Sequence, residues 1–224
     1  KILDNQNIDS MFSALKNIES IDEVIKVCDY PVSEPFLGNC QGESFNDPSV
    51  QGGDSWYLDG MNIPCAWTVT HGSASQVVAV VDVYFDYSHD DLQNKFVSIT
   101  NISNFNNPVC GHGFATAGAV AAIVNNNICT VGSGYNTKVA GYIVGSTCTS
   151  GNPRQGILQA MADGHKTISV SFTGTGITTS EIEEYINDGG TLIHSAFGQN
   201  NTHGVIDGYI YVAQANENFE HVYD

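Results

Sequence analysis

The 224 residues carry 24 acidic and 7 basic side chains, a formal net charge of −17 at pH 7, and 42% of them are hydrophobic. A chain of this size can bury a substantial core, and a surface this acidic, with no Lys/Arg cluster as a local exception, repels nucleic acid and anionic membranes. No stretch approaches the roughly eighteen consecutive apolar residues of a membrane span, and the first residues, KILDNQNIDS, lack the apolar centre of a secretory leader, which leaves export open.

Three parts follow in chain order. Residues 1–30 read as a small appendage, in which MFSALKNIESIDEVIKV (Met11–Val27) predicts a short helix, a turn and an alternating strand. The glycine- and polar-rich tract within residues 31–55, LGNCQGESFNDPSVQGGDS, reads as a linker. From residue 56 to 224 buried strands and helices alternate. QVVAVVDV (Gln76–Val83) is β-branched, too short for a helix and apolar on both faces, as a central parallel strand is. A helix over Gly113–Val124, a strand over Lys138–Val144 and a helix over Gly156–Gly164 come next, the last stopped by glycine. Thr167–Phe172 is another strand. Thr178 and Ser180 each precede a glutamate by three residues, Glu181 and Glu183, the capping-box signature of a helix running to Gly189. Strands over Gly190–Ala196 and Tyr209–Ala215 complete the series. Such alternation implies right-handed βαβ crossovers and an α/β domain with a largely parallel central sheet, helices covering both faces.

The six cysteines form no Cys-x-x-Cys pair, which argues against a zinc ribbon or a thioredoxin-like site. Their even number and loop-like positions predict at least two disulfides in an exported protein, among Cys28 and Cys40 and among Cys110, Cys129 and Cys148.

Ligands of open α/β sheets bind at the carboxyl ends of the strands. Asp82 stands at that end of the first strong strand, after a run that cannot solvate it, and a buried carboxylate needs a partner. His112, at the mouth of the Ala/Gly-rich helix in CGHGFATAGAVAAIV, is the natural one. An aspartate paired to an imidazole orients the ring, fixes its tautomer and stabilises the imidazolium, as a serine nucleophile requires.

These segments resemble the subtilisin-like serine peptidases. VAVVDVYFDYSHDDL is similar to that family's aspartate motif and GHGFATAGAVAAI to its histidine motif. WYLDGMNIPCAWTVTHGS, NNNICTVGSGYNTKVAGYIV, TISVSFTG and GTLIHSAFGQNN resemble further segments in the family's order, over roughly residues 56–215. The resemblance implies a three-layer subtilisin-like fold, incomplete at its C-terminus, with Asp82 as orienting carboxylate and His112 as general base. It puts Gln199 at the oxyanion position and Ser171, Phe172, Thr173 and Gly174 on the segment that pairs with an extended substrate. It further implies that Ser13–Val27 corresponds to the end of an inhibitory propeptide. Finally it implies a structural calcium ion, held by Asp91, the carbonyls of Val124, Ile128 and Thr130, and the side chain of Asn126, an all-oxygen set that suits a hard cation.

The departures are as specific as the matches. Val83 and Tyr84 replace the small residue and glycine that follow the family's aspartate, and Phe114-Ala115 replace the Thr-His that follows His-Gly. Cys129 stands where the calcium loop has glycine, and no Gly-Thr-Ser nucleophile motif occurs. The reading is therefore a secreted subtilisin-like domain, inactive in this chain alone and serving binding or assembly. Its expected partner is an extended peptide or a complementary chain that completes the fold. The alternative is the N-terminal part of an active secreted serine endopeptidase whose serine lies elsewhere.

Overall fold

The computed structural model describes residues 45–52, 56–102, 110–148, 151–195 and 206–212. By internal contacts the chain divides into residues 1–40 and 41–224, and everything described belongs to the second unit. The appendage expected over residues 1–30, with its propeptide-like segment, lies outside the described residues.

Six strands form one sheet: β1 (Val77–Asp82), β2 (Phe96–Asn101), β3 (Lys138–Ile143), β4 (Thr167–Val170), β5 (Thr191–Ser195) and β6 (Tyr209–Val212), in the order β2-β3-β1-β4-β5-β6. Every pairing is parallel, which rules out tight hairpins, and helices supply the crossovers from β2 to β3, β3 to β4 and β4 to β5. These are α4 (His112–Ala121), α5 (Pro153–Ala162) and α6 (Thr179–Asn187), preceded in the chain by the short helices α1 (Pro48–Gln51), α2 (Trp56–Gly60) and α3 (Ile63–Val69).

The period of two along β1 divides the core. Ala79 and Val81 face a cluster with Ile157 and Ala160 of α5 and Ile182 and Tyr185 of α6, whereas Val80 faces Ala117 and Ala121 of α4. Helices thus cover both faces in three layers. Fully buried side chains such as Ile157, Ile168 and Ile182 each contribute about 1.5–3 kcal/mol of transfer free energy. At the start of α6 the capping box forms on Thr178: its hydroxyl accepts from the Glu181 amide while the Glu181 carboxylate accepts from the Thr178 amide.

Three features depart from the sequence reading. β2 is an extra strand at the sheet edge, paired only to β3. Val124 falls beyond α4, which ends at Ala121. Residues 45–52, inside the tract read as a linker, are packed: Phe45 joins Leu58, Trp67 and Val131 in a third cluster, and Asp47 is wholly buried.

Candidate active site

The carboxyl end of β1 carries Asp82, whose side chain is fully buried. Burial of a carboxylate is tolerable only where donors replace water, and three groups do so. The Val83 amide donates to Oδ1 at 2.7 Å, the Thr116 hydroxyl to Oδ2 at 3.0 Å, and His112 Nδ1 lies 2.9 and 3.0 Å from the two oxygens. A carboxylate accepts only, so Nδ1 carries the hydrogen and, in the neutral ring, Nε2 is left as the basic nitrogen. The imidazole itself is about half exposed, with side-chain accessibility of 48% against 0% for its partner.

The Ala/Gly composition of α4 explains how the helix comes this close. A β-carbon on Gly113 would collide with the Tyr84 carbonyl oxygen and lie 2.9 Å from the Asp82 β-carbon, so only glycine lets the first turn rest on the strand end. Ala117 and Ala121 then continue the contact with no exposed surface. Thr116 is four residues on from His112 and hence on the same helix face. Its sequence signal is the helical spacing of four from His112. Of the altered positions, Phe114 stacks obliquely on His89, ring centroids 4.6 Å apart, and Ala115 is exposed.

A cleft of about 470 Å³ opens beside this pair, lined by Asp82, Val83, His112, Cys148, Gly151 and Pro153 and, as its other wall, by Ser171, Phe172, Thr173 and Gly174. The segment expected to receive a peptide therefore sits in one cleft with the imidazole. It follows β4 instead of continuing it, since the strand ends at Val170. Cys148 at the rim is bonded to Cys110, Cα atoms 5.3 Å apart, which ties the loop before α4 to the loop after β3. Cys129, expected to pair within this group, is a free exposed thiol, and Cys65 is disulfide-bonded. Gln199 lies outside the described residues.

A second polar cluster lies around residues 124–130. Asp91, 2% exposed, accepts from Asn126 Nδ2 at 2.9 Å and from the Thr130 amide at 3.1 Å. The Asn126 side-chain oxygen accepts from the Ile128 amide at 2.9 Å. Asn125, Asn127 and Cys129 alternate in the left-handed region, with φ of 61°, 61° and 38°, and the cysteine forgoes the freedom of the expected glycine at a cost of about 1–3 kcal/mol. Asp47, which the sequence reading did not single out, closes the loop: its carboxylate accepts from the amides of Asn125 at 2.9 Å and Asn126 at 3.3 Å. Burial pushes the Asp91 carboxyl above its ordinary range, and repulsion from Asp47 adds to this against the hydrogen bonds from Asn126 and Thr130. Both carboxylates are met by N–H donors, the amides of residues 125, 126 and 130 and the Asn126 side chain, and the Asn126 oxygen expected to hold a cation is taken by the Ile128 amide. Among the described residues no three His, Cys, Asp or Glu side chains group as metal ligands.

Comparison with known proteins agrees with this geometry. The model of the Subtilase family matches residues 73–221. A thermophilic serine proteinase from Bacillus sp. (strain AK1) is 27% identical over 214 residues, which cover 88% of this chain and 52% of that protein. Human neuroendocrine convertase 2 is 32% identical over 120 residues, 44% of this chain and 18% of the convertase, and kexin of Saccharomyces cerevisiae is 33% identical over 113 residues, 44% and 14%. The chain thus spans about half the length of the first of these relatives and less than a fifth of the other two. Among solved structures, a protease from Pseudoalteromonas arctica superposes with a TM-score of 0.62 at 24% identity over 81% of this chain and 68% of its own. The PatG macrocyclase domain does so with 0.54 at 12% identity over 72% and 67%. These likenesses concern the fold. With Asp82 and His112 held together inside the matched region, the chain belongs to the subtilase family of serine peptidases.

Proposed function

We propose that this chain provides the acid–base half of a serine endopeptidase site and a docking wall for an extended peptide, the nucleophilic serine being supplied by sequence outside these 224 residues. One observation carries the reading: both oxygens of a wholly buried Asp82 engage His112 Nδ1 while the rest of the ring reaches an open cleft. A merely structural histidine has no need of an exposed basic nitrogen backed by a desolvated carboxylate. In the proposed reaction His112 Nε2 takes the proton of the attacking serine hydroxyl. Asp82 holds the ring and stabilises the imidazolium, and the proton is returned to the leaving amine. Peptide bound along Ser171–Gly174 by main-chain hydrogen bonds brings its carbonyl to the same cleft. Gln199 is the proposed oxyanion donor.

A second reading, a pseudopeptidase used for binding or assembly, is favoured by Tyr84, Phe114, Ala115 and Gln199 standing where the family has other residues. One experiment separates the two. The complete gene product and the 224-residue chain are each incubated with unfolded casein and a fluorogenic peptide. Cleavage by the complete product that His112→Ala abolishes supports the peptidase reading. No cleavage, with retained peptide binding, supports the second. The 224 residues alone are expected to cleave nothing.

We further propose a calcium ion held by Asp91, Asp47, Asn126 and carbonyls of the 124–130 loop, serving to neutralise the paired carboxylates. Elemental analysis and a melting curve in chelator test it: no bound metal and an unchanged midpoint would sink the idea. The Cys110–Cys148 bond supports export to an oxidising compartment. Among the described residues no helix is long and apolar enough to cross a membrane.

A further inference from the structure

A second histidine, His194, is 5% exposed on β5, a strand flanked by β4 and β6, where it follows Leu192 and Ile193. It stands opposite Val170 of β4 on one side and Tyr211 of β6 on the other. Its ring spans two partners: Nε2 lies 2.7 Å from the Phe172 carbonyl oxygen and Nδ1 2.9 Å from the Tyr209 hydroxyl. Tyr209 and Tyr211 pack edge to face with centroids 4.5 Å apart, and the Tyr209 ring stacks beside the imidazole. A carbonyl can only accept, so Nε2 carries the hydrogen, and the neutral ring then accepts from Tyr209 at Nδ1.

What this grip accomplishes follows from the topology. β4 lies between β1 and β5, and its ladder with β1 ends at Val81–Val170 while its ladder with β5 ends at Val170–His194. The next four residues, Ser171–Gly174, form the cleft wall across from His112. Within this cleft-lining segment, the Phe172 carbonyl is tied to β5 by His194. A valine or leucine at position 194 would fill the same space in the core and leave the carbonyl without that donor, and an imidazole is a costly residue to bury for packing alone.

We infer that His194 is a positioning residue for peptide recognition: its Nε2–H, in the tautomer that the Phe172 carbonyl demands and the Tyr209 hydroxyl satisfies at Nδ1, holds that carbonyl toward β5 and fixes the wall against which an extended peptide docks. The peptide part rests on the reading of the cleft proposed above; the tautomer and the Phe172 anchor do not.

The test uses the full chain labelled with ¹⁵N at histidine and ¹³C at the Phe172 carbonyl, and the complete gene product assayed with a chromogenic tetrapeptide anilide. The ¹⁵N shifts should report hydrogen on Nε2 and none on Nδ1. The Phe172 carbonyl resonance should move in His194→Leu and hold in His194→Gln, whose amide can donate to Phe172. Tyr209→Phe should shift the Nδ1 resonance. In the kinetic arm His194→Leu should raise KM about 3- to 10-fold, the equivalent of one hydrogen bond, with kcat little changed and His194→Gln restoring it. Hydrogen on Nδ1, or a Phe172 resonance and a KM indifferent to His194→Leu, would overturn the inference. Should His194→Leu not fold, Tyr209→Phe and His194→Gln decide it on the same resonances. A wild-type protein that cleaves nothing counts against the peptidase reading, and the His194 anchor then stands or falls on the Phe172 carbonyl.

Discussion

Asp82 and Asp91 are both buried carboxylates near the ends of β1 and its following loop, and the molecule accommodates them in opposite ways. Asp82 receives two neutral donors and an imidazole whose far side is open to a cleft. Asp91 receives only an amide side chain and a backbone amide, with a second buried carboxylate, Asp47, near enough to push its pKa up. The first arrangement leaves its partner exposed and able to exchange a proton. The second closes on itself, its two carboxylates held by N–H donors of one loop. Burial alone therefore does not distinguish the two aspartates; the reach of the partner to solvent does.

The largest effect expected from this contrast is on turnover. On the proposed peptidase reading, Asp82→Asn should lower kcat for peptide cleavage by about 10⁴-fold, because the amide no longer enforces the Nδ1–H tautomer or stabilises the imidazolium. The melting temperature should hardly change, since asparagine has the same size, its one side-chain oxygen can still accept from the Val83 amide, and the Thr116 hydroxyl keeps the Gly113 carbonyl as acceptor while receiving the new NH2. A variant within tenfold of wild-type kcat would mean that the pair is structural and that the contrast with Asp91 is false.

Asp91→Ala should do the reverse. The Thr130 amide and the Asn126 side chain would lose their acceptor in a site 2% exposed, costing about 3 kcal/mol at 1–3 kcal/mol per orphaned donor. Urea unfolding measures it, and a loss below about 1 kcal/mol would show the loop to be held by something else.

The pH dependence sharpens the same point. Because the folded pKa of Asp91 is raised above its unfolded value of 3.8, the native state holds the proton longer than the unfolded chain. Its contribution to stability is thus present at low pH and is lost as pH rises through the raised folded value. Compared with Asp91→Asn in chelator, the wild type should lose stability as pH rises above 3.8, and calcium should cancel the loss. A difference curve of the opposite slope would show Asp91 to be stabilised as an anion by the protein alone.

How far the sequence disclosed these features depends on whether a feature is local. The run Val77–Asp82, buried on both faces, and the capping box at Thr178 and Glu181 are written within a few residues and were legible. β2 was not: its burial follows no clean alternation, being intermediate or exposed throughout, because an edge strand paired on one side has little reason to be apolar. Asp47 is more instructive. Asn46-Asp47-Pro48 has the look of a helix start, aspartate at the N-cap with proline after it, and a helix does begin there. Yet the carboxylate makes no capping hydrogen bond and turns to residues 125 and 126 instead, almost eighty positions away. His194 is hidden for the same reason, since GTLIHSA reads as one more buried strand until Phe172 and Tyr209 are brought to either side of the ring. The pairing of Cys110 with Cys148, leaving Cys129 free, likewise needed the loops in place.

The smallest expected effect concerns Thr116, which adds a neutral donor to Asp82 that Asp91 has no counterpart for on a helix. Its hydroxyl lies 3.0 Å from both Asp82 Oδ2 and the Gly113 carbonyl, so one proton is shared between a carboxylate and a helix carbonyl. Thr116→Val keeps the shape and removes the proton, leaving Asp82 with Val83 and His112. The loss of a shared hydrogen bond of about 0.5–1.5 kcal/mol should lower kcat about 2- to 10-fold in the peptide-cleaving protein, with KM unchanged. Thr116→Ser, which retains the hydroxyl, should restore the rate. The direction follows from the role assigned to Asp82: with one donor fewer the carboxylate is freer to turn, and the imidazole that depends on it is less often presented to a serine. If Thr116→Val slowed unfolding or left kcat untouched while lowering the melting temperature, the hydroxyl would be a helix-packing group, and the distinction between the two buried aspartates would rest on His112 alone.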